Sequence, residues 1–447
     1  MGPSMPPPYD PAVLAPVEGA IPQPPGSSRT RPDACPGALT LHQAADGLLA
    51  RIRVPGGVLS ATALIGLAEL SAELGDGRLE LTSRANLQLR GLDATAATEL
   101  ATRLQTLGLL PSLAHERVRN ILGSPLSGLD GLGQADTIDL VQSLDRELCA
   151  NVRLAELPGR FLFGVDDGRG DIAAAATDVT LIAISASKIR LWPGDFAVDA
   201  SHAVTVALAL AEAFLDERNT QTDPAGQAAW RIADLVDGPR LVARRALHRL
   251  RARGIQALPS EPALGVLAGF APEAPLALGV AEQRNGLHSL TVQIPLGRLL
   301  PEQAQVLAEI SGRRGIRITP WRSIVATDVA DPVTAAESAH DAGLGTEDSS
   351  PWLGVTACAG RPGCAKALAD VQHDARAVAM ATRTAAASTS LPVHWSGCSR
   401  RCGRPAGASV DVLATASGYQ VSDGEGRTHQ AAGVAELAST VEALRRG

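Results

Sequence analysis

The chain has 447 residues, 45% of them apolar and only 3% aromatic, with 44 glycines, 30 prolines and a formal net charge of −7. That length asks for two or three hydrophobic cores, and the apolar content excludes a chain disordered throughout. The acidic balance argues against nucleic-acid binding through a broadly basic surface, and no apolar run reaches the roughly 18 residues that span a bilayer, so neither nucleic acid nor membrane is expected as a partner.

Residues 1–32 carry ten of the prolines and are expected to be an extended, disordered tail without a core. They hold no basic stretch followed by an apolar one. No secretory signal is therefore expected, and a reducing cytoplasm is the expected compartment. Residues 33–108 read as one structural unit. Leu48, Ala50, Ile52 and Val54 alternate with Leu49, Arg51 and Arg53, the pattern of a half-buried strand. Leu64, Leu67, Leu70 and Leu74 stripe a following helix. Leu79–Leu81 and Leu87–Arg90 read as further strands, and a second helix is capped by Asp93 and closed by Gly108. Residues 109–235 read as another domain, with a polar boundary at Asp216–Gln227.

Residues 236–345 are expected to hold a linker and a second copy of the first unit. Residues 294–315 align without gaps to 54–75, and Pro55, Gly57, Leu59, Leu67, Ala68, Glu69, Ser71 and Gly75 recur at an offset of 240. In this copy Leu290, Val292 and Ile294 alternate with Thr291 and Gln293, Ile316–Ile318 is the strand after the helix, and Trp321 falls at the position of Arg84. Asp331, Pro332 and Gly343 mark the start and end of one more helix. Strand, helix, strand, strand, helix is half of a ferredoxin-like sandwich. Two such half-repeats pair into one domain, which makes the fold class α+β.

Residues 346–447 carry the chemistry. Cys358 and Cys364 lie in TACAGRPGCAKA, and Cys398 and Cys402 in HWSGCSRRCGRP. Two short cysteine pairs on separate loops can bring four thiolates onto one [4Fe–4S] cluster. Gly360, Pro362, Gly363, Gly397 and Gly403 permit the tight backbone this needs, and Arg361, Arg400, Arg401 and Arg404 would offset the cluster's negative charge. Structural zinc prefers C-x2-C spacing, and disulfides disagree with a reducing compartment. Cys35 and Cys149 are isolated and expected to be unligated.

This cysteine pattern resembles the cluster motif of the nitrite and sulfite reductase superfamily, whose members also carry two ferredoxin-like half-repeats. LTSRANLQLRG (Leu81–Gly91) is similar to the family's T-x-R-x-x-x-Q motif and puts Arg84 at its anion-binding arginine. VRN (Val118–Asn120) resembles its Arg-Asn motif and selects Arg119. LPGRFLF (Leu157–Phe163) resembles L-P-x-K-F-K, with Arg160 at the first lysine and Leu162 at the second. The resemblance spans about residues 35–420, with its four motifs in the family order.

Leucine can neither bind an oxyanion nor deliver a proton. Within the superfamily the sequence therefore looks most like the precorrin-3B synthase branch of aerobic cobalamin synthesis, which ITPWRSI (Ile318–Ile324) also resembles. That resemblance implies a tetrapyrrole-binding domain at 109–235 and a cluster domain at 346–447. It implies oxidation of precorrin-3A by O2 with an external reductant, NADH through a separate reductase or a ferredoxin-type donor. Arg84, Arg119 and Arg160 would hold substrate carboxylates, while Cys358, Cys364, Cys398 and Cys402 would hold the cluster. A non-heme iron would activate oxygen, although no 2-His-1-carboxylate set can be picked from the nine histidines. The alternatives are a siroheme nitrite or sulfite reductase, with Cys402 bridging to siroheme, and a non-catalytic iron–sulfur carrier.

Overall fold

The computed structural model describes residues 35–194, 196–221, 228–255, 258–259, 276–382, 391–405, 408–423, 425–431 and 433–445; the expected tail over 1–32 lies outside the described residues. The first half-repeat runs β1 (His42–Ala44), β2 (Gly47–Ile52), β3 (Val58–Leu59), α1 (Ala61–Leu74), β4 (Leu79–Leu81), β5 (Leu87–Leu92) and α2 (Ala96–Thr106). Ser60 caps α1 by accepting the Ala63 amide, and Asp93 accepts the amides of Thr95 and Ala96 at the head of α2. Leu64, Leu67 and Leu70 of the expected stripe are fully buried, each contributing roughly 1.5–3 kcal/mol of transfer free energy.

The middle unit comprises β6 (Ile121–Gly123), α3 (Ile138–Ala150), β7 (Phe163–Asp166), β8 (Val179–Ser185), β9 (Lys188–Trp192), β10 (Phe196–Asp199), α4 (Ala203–Thr220), α5 (Gly238–Ala252) and β11 (Leu258–Pro259). Its six strands run in the order β11-β10-β9-β8-β7-β6. The unit therefore extends past residue 235, where the sequence suggested a boundary. Val242, Ala246 and Leu250 of α5 enter its core, and Arg245 and Arg249 of the same helix pair with Glu217 and Asp216 of α4. Asp216 and Glu217, read as the start of a polar linker, are thus helical.

The second half-repeat contains β12 (Gly279–Glu282), β13 (His288–Gln293), β14 (Arg298–Leu299), α6 (Pro301–Ile310), β15 (Ile316–Ile318), β16 (Ser323–Val329) and α7 (Pro332–Asp341). Asp331 caps α7 through the Thr334 amide, as its sequence implied. The C-terminal unit has β17 (Val355–Ala357), α8 (Val371–Ala381), β18 (Val393–Ser396), β19 (Val410–Thr415), β20 (Gly418–Ser422), β21 (Thr428–Ala431) and α9 (Val434–Arg445).

Each half-repeat lends a strand to the other. The sheet orders are β1-β2-β5-β4-β14 and β12-β13-β16-β15-β3, so β14 pairs with β4 and β3 with β15. The exchange covers the edge that each half would otherwise expose. One continuous core then collects leucines and valines from both copies, with α1 packed on α6. The turns before β5 and β16 repeat in detail. Thr82 Oγ1 accepts the amides of Arg84 and Asn86, and Thr319 Oγ1 those of Trp321 and Ser323. Ala85 and Arg322 take the same left-handed backbone, φ +52° and +60°. Trp321 therefore stands where Arg84 does, as the sequence alignment expects.

Candidate functional site

Parallel pairing of β17 and β18 brings the two cysteine pairs together. Ala357 is in register with Trp395, so Cys358 and Cys398 both emerge at the same end of neighbouring strands. The Cys358 amide donates to Trp395 O at 2.9 Å, and the Leu368 amide to Gly397 O at 2.8 Å. Gly397 N–H donates to Cys358 Sγ at 3.1 Å. The Cys364 amide closes a turn on Gly360 O at 2.8 Å, and the Arg401 amide closes another on Cys398 O at 3.1 Å. From the first half-repeat, Arg90 grips Asp46 through two bonds of 2.8 and 2.9 Å and donates to Gly363 O at 2.7 Å. It fixes the Cys364 loop against the paired half-repeats. A 530 Å³ cleft opens there, lined by Asp76, Arg78, Leu296, Arg298, Arg361 and Gly363 among others.

The donor set suits an iron–sulfur cluster. Burial pushes the Cys358 thiol up, and Cys402 and Cys364 nearby add to this, while the Gly397 amide pulls it down. Metal binding favours the thiolate form of a cysteine and releases its proton. Beneath them His394 is fully buried, with Nε2 3.1 Å from Cys402 O and Nδ1 2.8 Å from Thr356 Oγ1. A carbonyl only accepts, so Nε2 carries the proton. Burial, then the charge of Arg322, pushes His394 down to about 4, and it is neutral at physiological pH. The sequence assigned charge compensation to four neighbouring arginines. Two of these have other work: Arg401 pairs with the buried Asp411, and Arg361 Nε donates to Ala367 O.

The three remaining motifs meet beside the half-repeats. Asn86 Oδ1 accepts the Val54 amide at 2.9 Å, and Asn86 Nδ2 donates to Asn120 Oδ1 at 3.3 Å. Asn120 Nδ2 reaches Gly159 O at 3.1 Å. This buried chain joins the Arg84 turn, the Arg-Asn motif and the L-P segment. Arg84 donates to Gly159 O at 3.2 Å and Arg160 O at 3.0 Å. Arg51, Arg53 and Cys35 lie close enough to act on it and on one another electrostatically. Burial pushes Arg84 down to about 10 and Arg53 to about 9, and both stay cationic at neutral pH. Arg53 donates to Arg117 O and Pro36 O, yet its Nη1 is buried with no partner among the described residues. Half-satisfied buried guanidinium groups form a site for an anion. Arg53 escaped the sequence reading because alternation placed it on the exposed face of its strand; the segments at Pro36 and Arg117 cover that face.

The structure does not bring all three expected arginines to this place. Arg119 is 4% exposed and donates to both Asp145 oxygens, at 2.8 and 2.7 Å, and to Leu109 O at 2.8 Å. An acidic residue on α3 takes the fork that the motif reserved for a ligand, which corrects the substrate role read for Arg119. Arg119→Ala should therefore cost about 3 kcal/mol of stability by stranding the Asp145 carboxylate, read as a lower denaturation midpoint. A ligand titration of the folded fraction should be unchanged. Arg160 is exposed and lies 5.3 Å over the Trp230 ring. Leu162 is 6% exposed in the shared core, its amide on Asp178.

No pair of histidines with a carboxylate converges among the described residues. Among the described residues, the one tight acidic group is Asp166, Asp167 and Asp171. Asp166 accepts four backbone amides at 2.7–2.9 Å, and Asp167 with Asp130 clamps Arg169. These carboxylates organise a loop and do not fit the histidine-rich site expected for a non-heme iron.

The model of the nitrite/sulfite reductase ferredoxin-like half domain matches residues 42–107 and 281–335, the two strand-exchanging halves. Residues 42–107 and 281–335 are thus similar to the ferredoxin-like half domain of nitrite and sulfite reductases. The solved structure of the Mycobacterium tuberculosis NirA protein shares the fold, with a TM-score of 0.69 at 21% identity over 88% of this chain and 79% of that one. The ferredoxin–nitrite reductase of Synechococcus elongatus is 28% identical over 82% of this chain and 76% of its own length. The precorrin-3B synthase of a Sinorhizobium species is 27% identical over 87% of this chain and 82% of its own. Among the described residues, no helix is long and apolar enough to cross a membrane.

Proposed function

We propose that this chain is an oxidoreductase of the superfamily's precorrin-3B synthase kind: a monooxygenase that converts precorrin-3A to precorrin-3B with O2 and an external reductant. One observation carries the choice. Leu162, where a reductase would hold a lysine, is sealed in the core, and a buried leucine leaves the pocket without that proton donor. What the site keeps is fixed positive charge. Arg84 uses two donors on backbone carbonyls and has three left, while Arg53 Nη1 has no partner among the described residues. Such groups suit a ligand with several carboxylates, each held by a charge-assisted bond worth about 1.5–3 kcal/mol.

In this reading Arg53 and Arg84 hold and orient the carboxylates of the macrocycle. Asn86 and Asn120 keep the Arg84 turn against the L-P segment, so the arginine does not reorganise when substrate arrives. Cys358, Cys364, Cys398 and Cys402 would hold a [4Fe–4S] cluster, which supplies single-electron transfer from the donor. The overall step takes two electrons and two protons. One atom of O2 becomes the hydroxyl at C20 and the other leaves as water; the hydroxyl oxygen and the ring A acetate oxygen add across one C=C bond of the macrocycle, which closes the γ-lactone with no further oxidant.

The second reading is a siroheme nitrite or sulfite reductase. It is favoured by the nitrite reductase likeness and by the fact that an arginine site also accepts a small oxyanion. Protein purified without oxygen separates the two. Iron and acid-labile sulfide without extractable siroheme support the synthase, whereas stoichiometric siroheme supports the reductase.

A further inference from the structure

Arg322 is partly buried, and its guanidinium has no hydrogen bond or ion pair among the described residues. Burial pushes its pKa down, and Glu80 is the one acidic group that acts on it appreciably. That carboxylate is already held by Arg298 at 2.9 Å and by Gln88 at 3.1 Å. A cation partly withdrawn from water without a close counter-charge is favourably placed for an anion beside it.

Two glycines form the slot in which the side chain lies. A Cβ on Gly297 would stand 2.7 Å from Arg322 Cδ, and one on Gly403 would stand 3.4 Å from Nη2. Gly403 follows Cys402 directly. His394, which holds the Cys402 carbonyl, feels Arg322 as the largest charge acting on it. The guanidinium therefore lies against the loop of the last cysteine. The first half-repeat has Ala85 at the corresponding left-handed position, so this cation belongs to one copy alone.

We propose that the charge Arg322 balances is that of the iron–sulfur cluster held by Cys358, Cys364, Cys398 and Cys402, and that Arg322 raises the cluster's reduction potential. The inference rests on the cluster reading given above. A four-thiolate cubane is anionic when oxidised and gains one more negative charge on accepting an electron. A cation fixed beside it in a partly buried site stabilises the reduced form more than the oxidised one. The electron comes from the external donor, and no bond is made or broken.

The test is a mediated potentiometric titration, with iron and sulfide analysis, of the full chain prepared anaerobically. Arg322→Met and Arg322→Gln should keep wild-type iron and sulfide while the reduction equilibrium falls at least tenfold, a potential about 59 mV more negative for a one-electron couple. Arg322→Lys, which keeps the charge, should stay close to wild type. Neutral variants that titrate with the wild type would overturn the proposal. Cluster loss in both neutral variants but not in Arg322→Lys would support the charge role; loss in all three would mark a packing residue and overturn it. A wild-type chain without iron and sulfide would overturn the cluster reading itself, a result distinct from an unshifted potential.

Discussion

Cys398→Ser should leave the chain without a cluster: no iron, no acid-labile sulfide and none of the visible absorption that accompanies them. The hydroxyl of serine is a far weaker ligand for iron than a thiolate, and three cysteines cannot close the set. The loss should spread beyond the metal. Cys398 lies just after β18, and the loop contacts at Gly397 and Arg401 order both cysteine pairs. Because metal binding and folding are coupled, the C-terminal unit of the variant should be cleaved much faster by protease than that of the wild type. The separate core under β6–β11 should resist as before. Wild-type iron and sulfide in this variant would refute the ligand assignment.

Arg84→Ala should weaken binding of a carboxylated tetrapyrrole about tenfold to a hundredfold, the equivalent of one charge-assisted hydrogen bond of roughly 1.5–3 kcal/mol. The effect should appear in anaerobic titration with precorrin-3A, followed by its absorbance, while the iron content stays unchanged. Arg84→Lys separates charge from shape: a lysine cannot hold the carbonyls of Gly159 and Arg160 and face a carboxylate with a planar fork. It should recover only part of the affinity. Unchanged affinity in Arg84→Ala would mean that the arginine group at Arg51, Arg53 and Arg84 is not the binding pocket.

Much of the fold was legible because its signals are local. The strand and helix periods and the caps at Asp93 and Asp331 each lie within a short window, the repeat is read by comparing two such windows, and each reappears in the structure. The exchange of β3 and β14 was not legible. Two-residue strands carry no period, and their partners lie more than 200 residues away in sequence. The end of the middle unit was misplaced for a related reason. Polar Asp216 and Glu217 look like a linker until the arginines of α5 are set beside them.

The site divides along the same line. The cysteines announce themselves by type and spacing, and parallel strands bring them together. Arginines carry no such signal, because a guanidinium serves a ligand, a carbonyl or a neighbouring carboxylate equally well. Arg119 sits in a family motif yet is consumed by Asp145. Arg53 stood out only once its surroundings showed a buried nitrogen short of a partner, and Arg322 only once its partly buried side chain showed no close counter-charge.

The most direct measurement is a single incubation of the anaerobically purified, cluster-loaded chain with precorrin-3A, a reduced electron donor and isotopically labelled O2. The synthase reading predicts a product that has gained one labelled oxygen atom and a lactone, with one molecule of O2 consumed per turnover. A chain that leaves precorrin-3A unchanged but reduces nitrite or sulfite with the same donor would contradict it.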